Sequence, residues 1–318
     1  MKILFTGGSS FTGYWFLREL AAAGHEVTAL FRKPASGYDD SPRRQRVAMA
    51  SELVRPVHGC SFGDDAFLAL VAQGGWDLLC HHAADVTNYK SPDFDAIGAV
   101  RNNTLNLPQV LRALADAGCP RILLTGSVFE GGEGAGSQGL PDFSPYGLSK
   151  ALTAQAFRFY CDRAGLRLGK FVIPNPFGPY EEPRFTGYLM KNWLAGKEAS
   201  CSQPSYVRDN IHVSLLAKAY ADFAGKLPAT PGFSRLNPSG YAEGQGAFTL
   251  RTAQEMRPRL NLPCAVTLAK QVEFPEPRVR INTDIVDAGA LGWDEARAWD
   301  EMADYYLKAH AEASAPAR

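Results

Sequence analysis

KILFTGGSSFTGYWFLRELAAAG, residues 2–24, is the stretch that decides the fold. Residues 2–6 make a short apolar run suited to a buried strand, and residues 11–23 carry apolar side chains at helical spacing up to Gly24. Between them lies a turn of glycines and serines. A strand that turns tightly into a helix gathers the helix's first backbone N–H groups at one point, where the helix dipole favours an anion. Glycines in such a turn let two backbones approach. Ser10 stands where a third glycine is expected. The setting predicts a pyrophosphate-binding loop formed by Gly7, Ser9, Ser10, Phe11, Thr12 and Gly13.

Outward from this loop, short apolar runs alternate with helical spacing. Strands are expected at 26–31, 55–58, 76–82, 121–125 and 166–173, and helices at 64–72, 95–117 and 144–164, with Pro108 kinking the second. Alternation of this kind predicts an α/β fold, a Rossmann-like doubly wound parallel sheet with ligands at the C-terminal ends of its strands. After Ile173 the texture changes: Pro174, Pro176, Pro179 and Pro183 cluster, and elements shorten. Short strands are expected at 234–238, 264–269 and 278–282, and helices at 213–224 and 299–310. Residues 1–173 are therefore expected to be a dinucleotide-binding domain to which 211–238 returns. Residues 174–318 are expected to form a smaller, interleaved α/β substrate domain, with a frayed tail at 311–318. The only low-complexity stretch is the glycine-rich loop at 131–139.

Composition narrows the function. Of 318 residues, 46% are hydrophobic and 21% charged, which excludes wholesale disorder. Lys plus Arg and Asp plus Glu are both 33, a balance without an electrostatic footprint for nucleic acid or an anionic membrane. Six cysteines without a C-x-x-C pair read as reduced core thiols, with no metal site. No run approaches the ~18 apolar residues of a membrane span, and no cleavable leader is visible, so a cytoplasmic location is expected. His81 and His82 are adjacent on a strand, point to opposite faces and cannot both ligate one metal. Arg43, Arg44 and Arg46 read as one face of a helix in a surface insertion.

Two features carry chemistry. The second strand ends ALFRKP, residues 29–34, without the acid that would accept the ribose hydroxyls of NAD. Arg32, with Lys33 and Ser9 nearby, suits the 2′-phosphate of NADP instead, NAD remaining possible. Tyr146 and Lys150, in SPYGLSK, are one helical turn apart and form the only Tyr-x-x-x-Lys among twelve tyrosines. An ammonium ion beside a phenol stabilises the phenolate, so such a tyrosine can pass a proton to or from a sugar oxygen.

TGGSSFTG (6–13), HHAADV (81–86), RNNT (101–104), LLTGSVFE (123–130), SPYGLSK (144–150), IPNPFGP (173–179), VRDNIHV (207–213) and LGW (291–293) follow one another in an order that resembles the extended short-chain dehydrogenase/reductases of the NAD(P)-dependent nucleotide-sugar epimerase/dehydratase family. The resemblance covers essentially the whole chain. It implies that His82, Ala83 and Ala84 lie by the cofactor, that Asn103 supports the neighbouring loop or a catalytic water, and that Pro174 and Asn175 face the nicotinamide and substrate. It also implies a nucleotide-sugar substrate clamped by Arg208 and by Arg278 or Arg280, and a homodimer. A Ser or Thr after the fifth strand would hydrogen-bond the reacting oxygen: Ser127 counted from the strand, Thr125 counted back from Val128–Phe129, with Ser127 slightly favoured.

The departures weigh too. Ser10, Arg32, and Cys60 in place of an adenine-contacting Asp speak against tight NAD binding. Gly126 and Ser127 follow Thr125 where the 4,6-dehydratases carry an Asp-Glu pair, which disfavours lyase chemistry. Three functions stand: reduction of a keto group on a nucleotide-activated sugar, C4 epimerisation with retained NAD, and non-catalytic dinucleotide sensing. Tyr146 with Lys150 argues against the third.

Overall fold

The computed structural model describes residues 1–38, 41–136, 140–273 and 276–314. Its first half alternates strand and helix: β1 (Lys2–Thr6), α1 (Phe11–Ala22), β2 (Glu26–Phe31), α2 (Ser41–Leu53), β3 (Arg55–His58), α3 (Asp65–Val71), β4 (Leu78–His81), α4 (Ala96–Asn103), α5 (Leu107–Asp116), β5 (Arg121–Ser127), α6 (Pro145–Ala164) and β6 (Arg167–Ile173). Then come β7 (Asn175–Phe177), α7 (Phe185–Leu194), β8 (Ala199–Cys201), β9 (Val207–His212), α8 (Val213–Lys226) and β10 (Gly232–Leu236). The chain continues through β11 (Pro238–Ser239), β12 (Tyr241–Gly244), α9 (Gln245–Leu260), β13 (Val266–Leu268), β14 (Val279–Arg280), β15 (Asp284–Ile285) and α10 (Glu295–Ser314).

Seven parallel strands form the main sheet in the order β10-β6-β5-β4-β1-β2-β3. The chain winds one way from β1 to β3 and the other way from β4 to β6. The connections leaving adjacent β1 and β4 therefore diverge and open a crevice above the strand ends. Both faces are covered, which is why the middle of β1, Ile3 to Phe5, is apolar on both sides. Ile3 and Phe5 pack with Trp15, Phe16 and Leu20 of α1 and Leu216 and Tyr220 of α8. Leu4 packs on the opposite side with Phe67, Leu111, Leu114 and Phe157. Phe16 and Tyr220 stack at 3.9 Å, and burying such side chains contributes about 1.5–3 kcal/mol each. A third cluster joins α7, α9 and α10 around Trp193, Phe248, Met256 and Trp299. Beside it, β9 pairs with β7, β12 and β14.

Several expectations need correction. Pro108 does not kink one helix; it lies in the first turn of α5, where its missing N–H costs nothing, after a break at Asn106, whose φ is 51°. Nothing in the sequence pattern pointed to α9, which contains Pro258. Arg46 is not on a surface face: it is 0% exposed, donates to Ser9 O at 3.1 Å and Tyr180 O at 2.7 Å, and pairs with Glu182 at 2.7 Å. Loop carbonyls turned inward need a donor, and α2 supplies it. Helix α10 begins four residues before the expected start, at Glu295, and runs to Ser314. The rest of the expected frayed tail, and residues 137–139 of the glycine-rich loop, lie outside the described residues. No helix among the described residues is long and apolar enough to cross a membrane.

Glu181 ties the segment held by Arg46 to α10. Its Oε1 accepts from Thr186 Oγ1 at 2.5 Å and from Tyr306 Oη at 2.7 Å. Burial pushes its carboxyl up to about 7, although these hydrogen bonds and Arg184 work the other way. The folded chain thus keeps a proton that the unfolded chain loses as pH rises from the ordinary carboxylate range to about 7, and stability falls across that window. Glu181→Gln is expected to stabilise the protein near pH 8 by on the order of 1–3 kcal/mol and to change little near pH 5. Denaturant unfolding at both pH values checks this; an equal change at both would contradict it.

Candidate active site

The turn after β1 is drawn tight by two glycines. Gly7 has φ +87°, and a Cβ there would lie 2.7 Å from Ala83 N; a Cβ on Gly13 would lie 2.2 Å from Gly7 O. Ser10 caps α1. Its hydroxyl donates to Gly7 O at 3.0 Å and accepts from Gly13 N at 3.0 Å, so the residue that replaces a glycine braces the loop from within. The close packing that these glycines allow brings the turn onto the N-terminus of α1, whose backbone N–H groups and dipole suit the diphosphate of a dinucleotide.

His82 lies against this loop, half-buried. Its Nε2 is 3.0 Å from Ser10 Oγ and 3.1 Å from Thr12 Oγ1, and its Nδ1 is 3.0 Å from Thr125 Oγ1. Ser10 gives its one proton to Gly7 O, so it accepts from His82 Nε2–H, and Nδ1 accepts from the Thr125 hydroxyl. Desolvation, helped by Lys150, holds the ring neutral, pushed down to about 3. The ring therefore links the glycine loop to β5. His81 points the other way: Nε2 donates to Asn103 O at 3.1 Å, and Nδ1 meets Thr6 Oγ1 at 3.0 Å. Thr6 Oγ1 also accepts from Ala83 N at 3.1 Å, and Asn103 Oδ1 accepts from Asp85 N at 2.7 Å. Ala83 and Ala84 are half-buried along the crevice.

Tyr146 and Lys150 enter from α6, which Ser144 caps by accepting Gly147 N at 3.0 Å. Lys150 Nζ donates to Thr125 O at 2.6 Å. Burial pushes Lys150 down to about 8; Glu130 opposes this and Lys170 adds to it. Tyr146 stands among Tyr89, Phe94 and Phe129, with ring centroids 5.2, 6.2 and 6.4 Å away. Burial holds its phenol well above the ordinary value, Glu130 and Tyr89 adding to the effect, while Arg184 and Ser127 work against it. Thr125 and Ser127 share a face of β5, but their partners differ: Thr125 Oγ1 lies 3.0 Å from His82 Nδ1, and Ser127 Oγ accepts the Phe129 amide at 3.2 Å.

The remaining residues separate. Arg32 and Lys33 are exposed at the end of β2. The Asp85 carboxyl is held below its ordinary range despite burial, by hydrogen bonds from Asn102 and Thr87 and by the charge of Arg32. Cys60 is buried, and burial pushes its thiol up to about 11. Pro174 is buried between β6 and β7; Asn175 follows it, in register with Asn210. Arg208 is engaged by the protein, pairing with Glu276 at 2.9 Å and donating to Val207 O at 3.0 Å and Pro277 O at 3.1 Å. Arg278 is exposed. Arg280 is 2% exposed and donates through Nε to Val128 O at 2.8 Å and through Nη2 to Glu130 O at 2.6 Å. One residue escaped the sequence reading. Arg184, at the start of α7, lies 5.9 Å from the Phe11 ring, and its charge acts on Tyr146. A lone cation after a proline-rich loop carries no periodic signal.

A sequence model described as the NAD dependent epimerase/dehydratase family matches residues 3–229. No curated protein sequence matches the chain. Among solved structures, UDP-glucose 4-epimerase of Thermotoga maritima with UDP-glucose superposes with a TM-score of 0.73 at 18% identity, covering 97% of this chain and 99% of that one. A variant of UDP-glucuronic acid 4-epimerase of Bacillus cereus, in complex with a fluorinated UDP-glucuronic acid and NAD, gives 0.72 at 17% identity, covering 97% and 100%. The dTDP-glucose 4,6-dehydratase of Streptomyces venezuelae with NAD bound gives 0.69 at 20% identity, covering 98% of both chains. At these identities the likeness speaks for the fold.

Proposed function

The chain belongs to the NAD dependent epimerase/dehydratase family and is an enzyme of the extended short-chain dehydrogenase/reductase type, and from that premise we propose that it is an NADP-dependent reductase of a keto group on a nucleotide-activated sugar. The observation that carries the proposal is the placing of Tyr146 and Lys150 one turn apart on α6, with Lys150 Nζ bonded to Thr125 O at 2.6 Å and Ser127 two residues further along β5.

In this reading the glycine loop, residues 7–13, holds the cofactor diphosphate, and Arg32 with Lys33 and Ser9 takes the 2′-phosphate. His82, Ala83, Ala84, Asn103 and Pro174 shape the wall towards the nicotinamide, His82 by bracing Ser10, Thr12 and Thr125. When bound, the cofactor supplies the hydride. Tyr146 gives its phenolic proton to the sugar oxygen as negative charge develops there. Ser127 hydrogen-bonds the same oxygen, and that bond strengthens with the charge. Lys150 anchors the nicotinamide ribose and, when protonated, eases proton loss from Tyr146. Asn175, Arg208 and Arg278 face the nucleotide sugar, and Arg184 adds a cation between Phe11 and Tyr146. Binding through Arg208 requires it to exchange Glu276 for the substrate diphosphate. Exposed Ile97 on α4 and Leu148 and Phe159 on α6, two helices packed together, offer a surface for a second copy.

The second reading is a C4 epimerase, favoured by the epimerases with NAD among the solved neighbours. The two differ in how they hold the cofactor. Protein purified without added cofactor and then denatured should release little dinucleotide if it is a reductase; stoichiometric NAD would favour the epimerase. A thermal-shift screen of nucleotide sugars with either cofactor then identifies the substrate.

A further inference from the structure

Beneath the Ser127 turn lies a buried set of charges. Glu130 is 0% exposed, Glu133 5% and Lys170 7%. Lys170 rises from β6 between the two carboxylates. Its Nζ donates to Glu130 Oε2 and, at 2.8 Å, to Glu133 Oε1. Glu130 Oε1 accepts the Ser127 amide at 2.7 Å, and Glu133 Oε2 accepts Asn237 Nδ2 at 2.8 Å. Arg235, half exposed, reaches Glu133 Oε2 at 3.4 Å. Burying ions carries a desolvation cost of several kcal/mol each before pairing, and apolar side chains fill such a volume without it.

The set lies against the strand that carries the proposed chemistry, and Gly126 makes the room. A Cβ there would fall 2.7 Å from Lys170 Cε and 2.9 Å from Glu130 Oε1. On one side of Gly126 is Thr125, whose carbonyl holds Lys150 Nζ; on the other is Ser127, whose amide Glu130 holds. One cation between two carboxylates leaves the set net negative, with Lys150 towards the crevice and Arg235 towards solvent.

We propose that Glu130 is a positioning residue: its carboxylate, held by Lys170, fixes the Ser127 turn, and its charge, counterweighted by Lys170, acts across Gly126 on Lys150. The inference rests on the roles given above to Tyr146 and Lys150. Burial lowers Lys150, Glu130 opposes that and Lys170 adds to it. His81 and His82 also face Lys150, but both are held neutral by burial. Around Tyr146, Glu130 and Tyr89 add to the effect of burial, and Arg184 and Ser127 oppose it. Arg280, which faces Asp142 and Glu133, meets Glu130 through its backbone carbonyl.

Opposite charges must therefore act in opposite directions, and a merely structural role does not. The test is an NMR titration of the free protein labelled at lysine Cε, the Lys150 resonance being assigned with Lys150→Arg. The wild-type midpoint is expected at about 8. Glu130→Gln should lower it by about one pH unit and Lys170→Met should raise it by a similar amount. Loosening of the fold would instead admit water to Lys150 and raise the midpoint in both variants. A Glu130→Gln midpoint equal to or above wild type overturns the proposal. If either single variant does not fold, Glu130→Gln combined with Lys170→Met removes the pair together and should stay near the wild-type midpoint; a move towards the ordinary lysine value overturns it. The readout needs neither cofactor nor substrate, so a failure of the nucleotide-sugar reading leaves it intact.

Discussion

Tyr146→Phe should lower turnover by roughly a hundredfold or more, the usual scale for loss of a general acid, and leave dinucleotide affinity nearly unchanged. The substitution removes one hydroxyl and keeps the ring among Tyr89, Phe94 and Phe129, so the crevice wall survives. What is lost is the proposed proton donor alone. Lys150→Ala should behave differently. Its Nζ is bonded to Thr125 O at 2.6 Å, and in the proposed complex it also anchors the ribose, so turnover and cofactor affinity should fall together. Steady-state turnover and cofactor titration by fluorescence separate the two variants. Full turnover in Tyr146→Phe would mean that the proton comes from elsewhere.

Arg32→Ala should weaken NADPH binding by about tenfold to a hundredfold, equivalent to about 1.5–3 kcal/mol, and leave NADH binding unchanged. Arg32 is exposed just after β2 with Lys33 beside it, and the stretch that ends the strand, ALFRKP, carries no acid. A guanidinium can meet a phosphate with two parallel hydrogen bonds, which an ordinary surface pair does not offer. Titration of both cofactors into wild type and variant decides the matter. Equal binding of NADPH and NADH by wild type, or no loss in the variant, would remove Arg32 from the site.

The parts of the molecule legible in the sequence were those written in local periodicity. The run from residue 2 to residue 24 specifies strand, turn and helix within itself, and Tyr146 and Lys150 share a face because one helical turn separates them. What escaped depends on residues distant in the chain. His82 meets Ser10 across 72 positions and Thr125 across 43, so the brace under the glycine loop has no sequence signature. Arg46 looked like one of three surface cations until the carbonyls of Ser9 and Tyr180 were seen turned towards it. Glu130, Glu133 and Lys170 come from a loop and a strand about forty positions apart, and nothing local marks them as buried. The choice between Thr125 and Ser127 was open to counting, because both lie on one strand face. In the folded chain Thr125 Oγ1 meets His82 and Ser127 Oγ accepts the Phe129 amide.

The most direct test of the reductase proposal is isotopic. The enzyme is incubated with UDP- and dTDP-linked 4-keto sugars and NADPH carrying deuterium at the transferable C4 position of the nicotinamide, and the products are weighed by mass spectrometry. The proposal predicts a hydroxyl sugar bearing a single deuterium, formed one for one with NADPH consumed. Interconversion of UDP-hexoses at C4 with no deuterium gained and no NADPH used would contradict it.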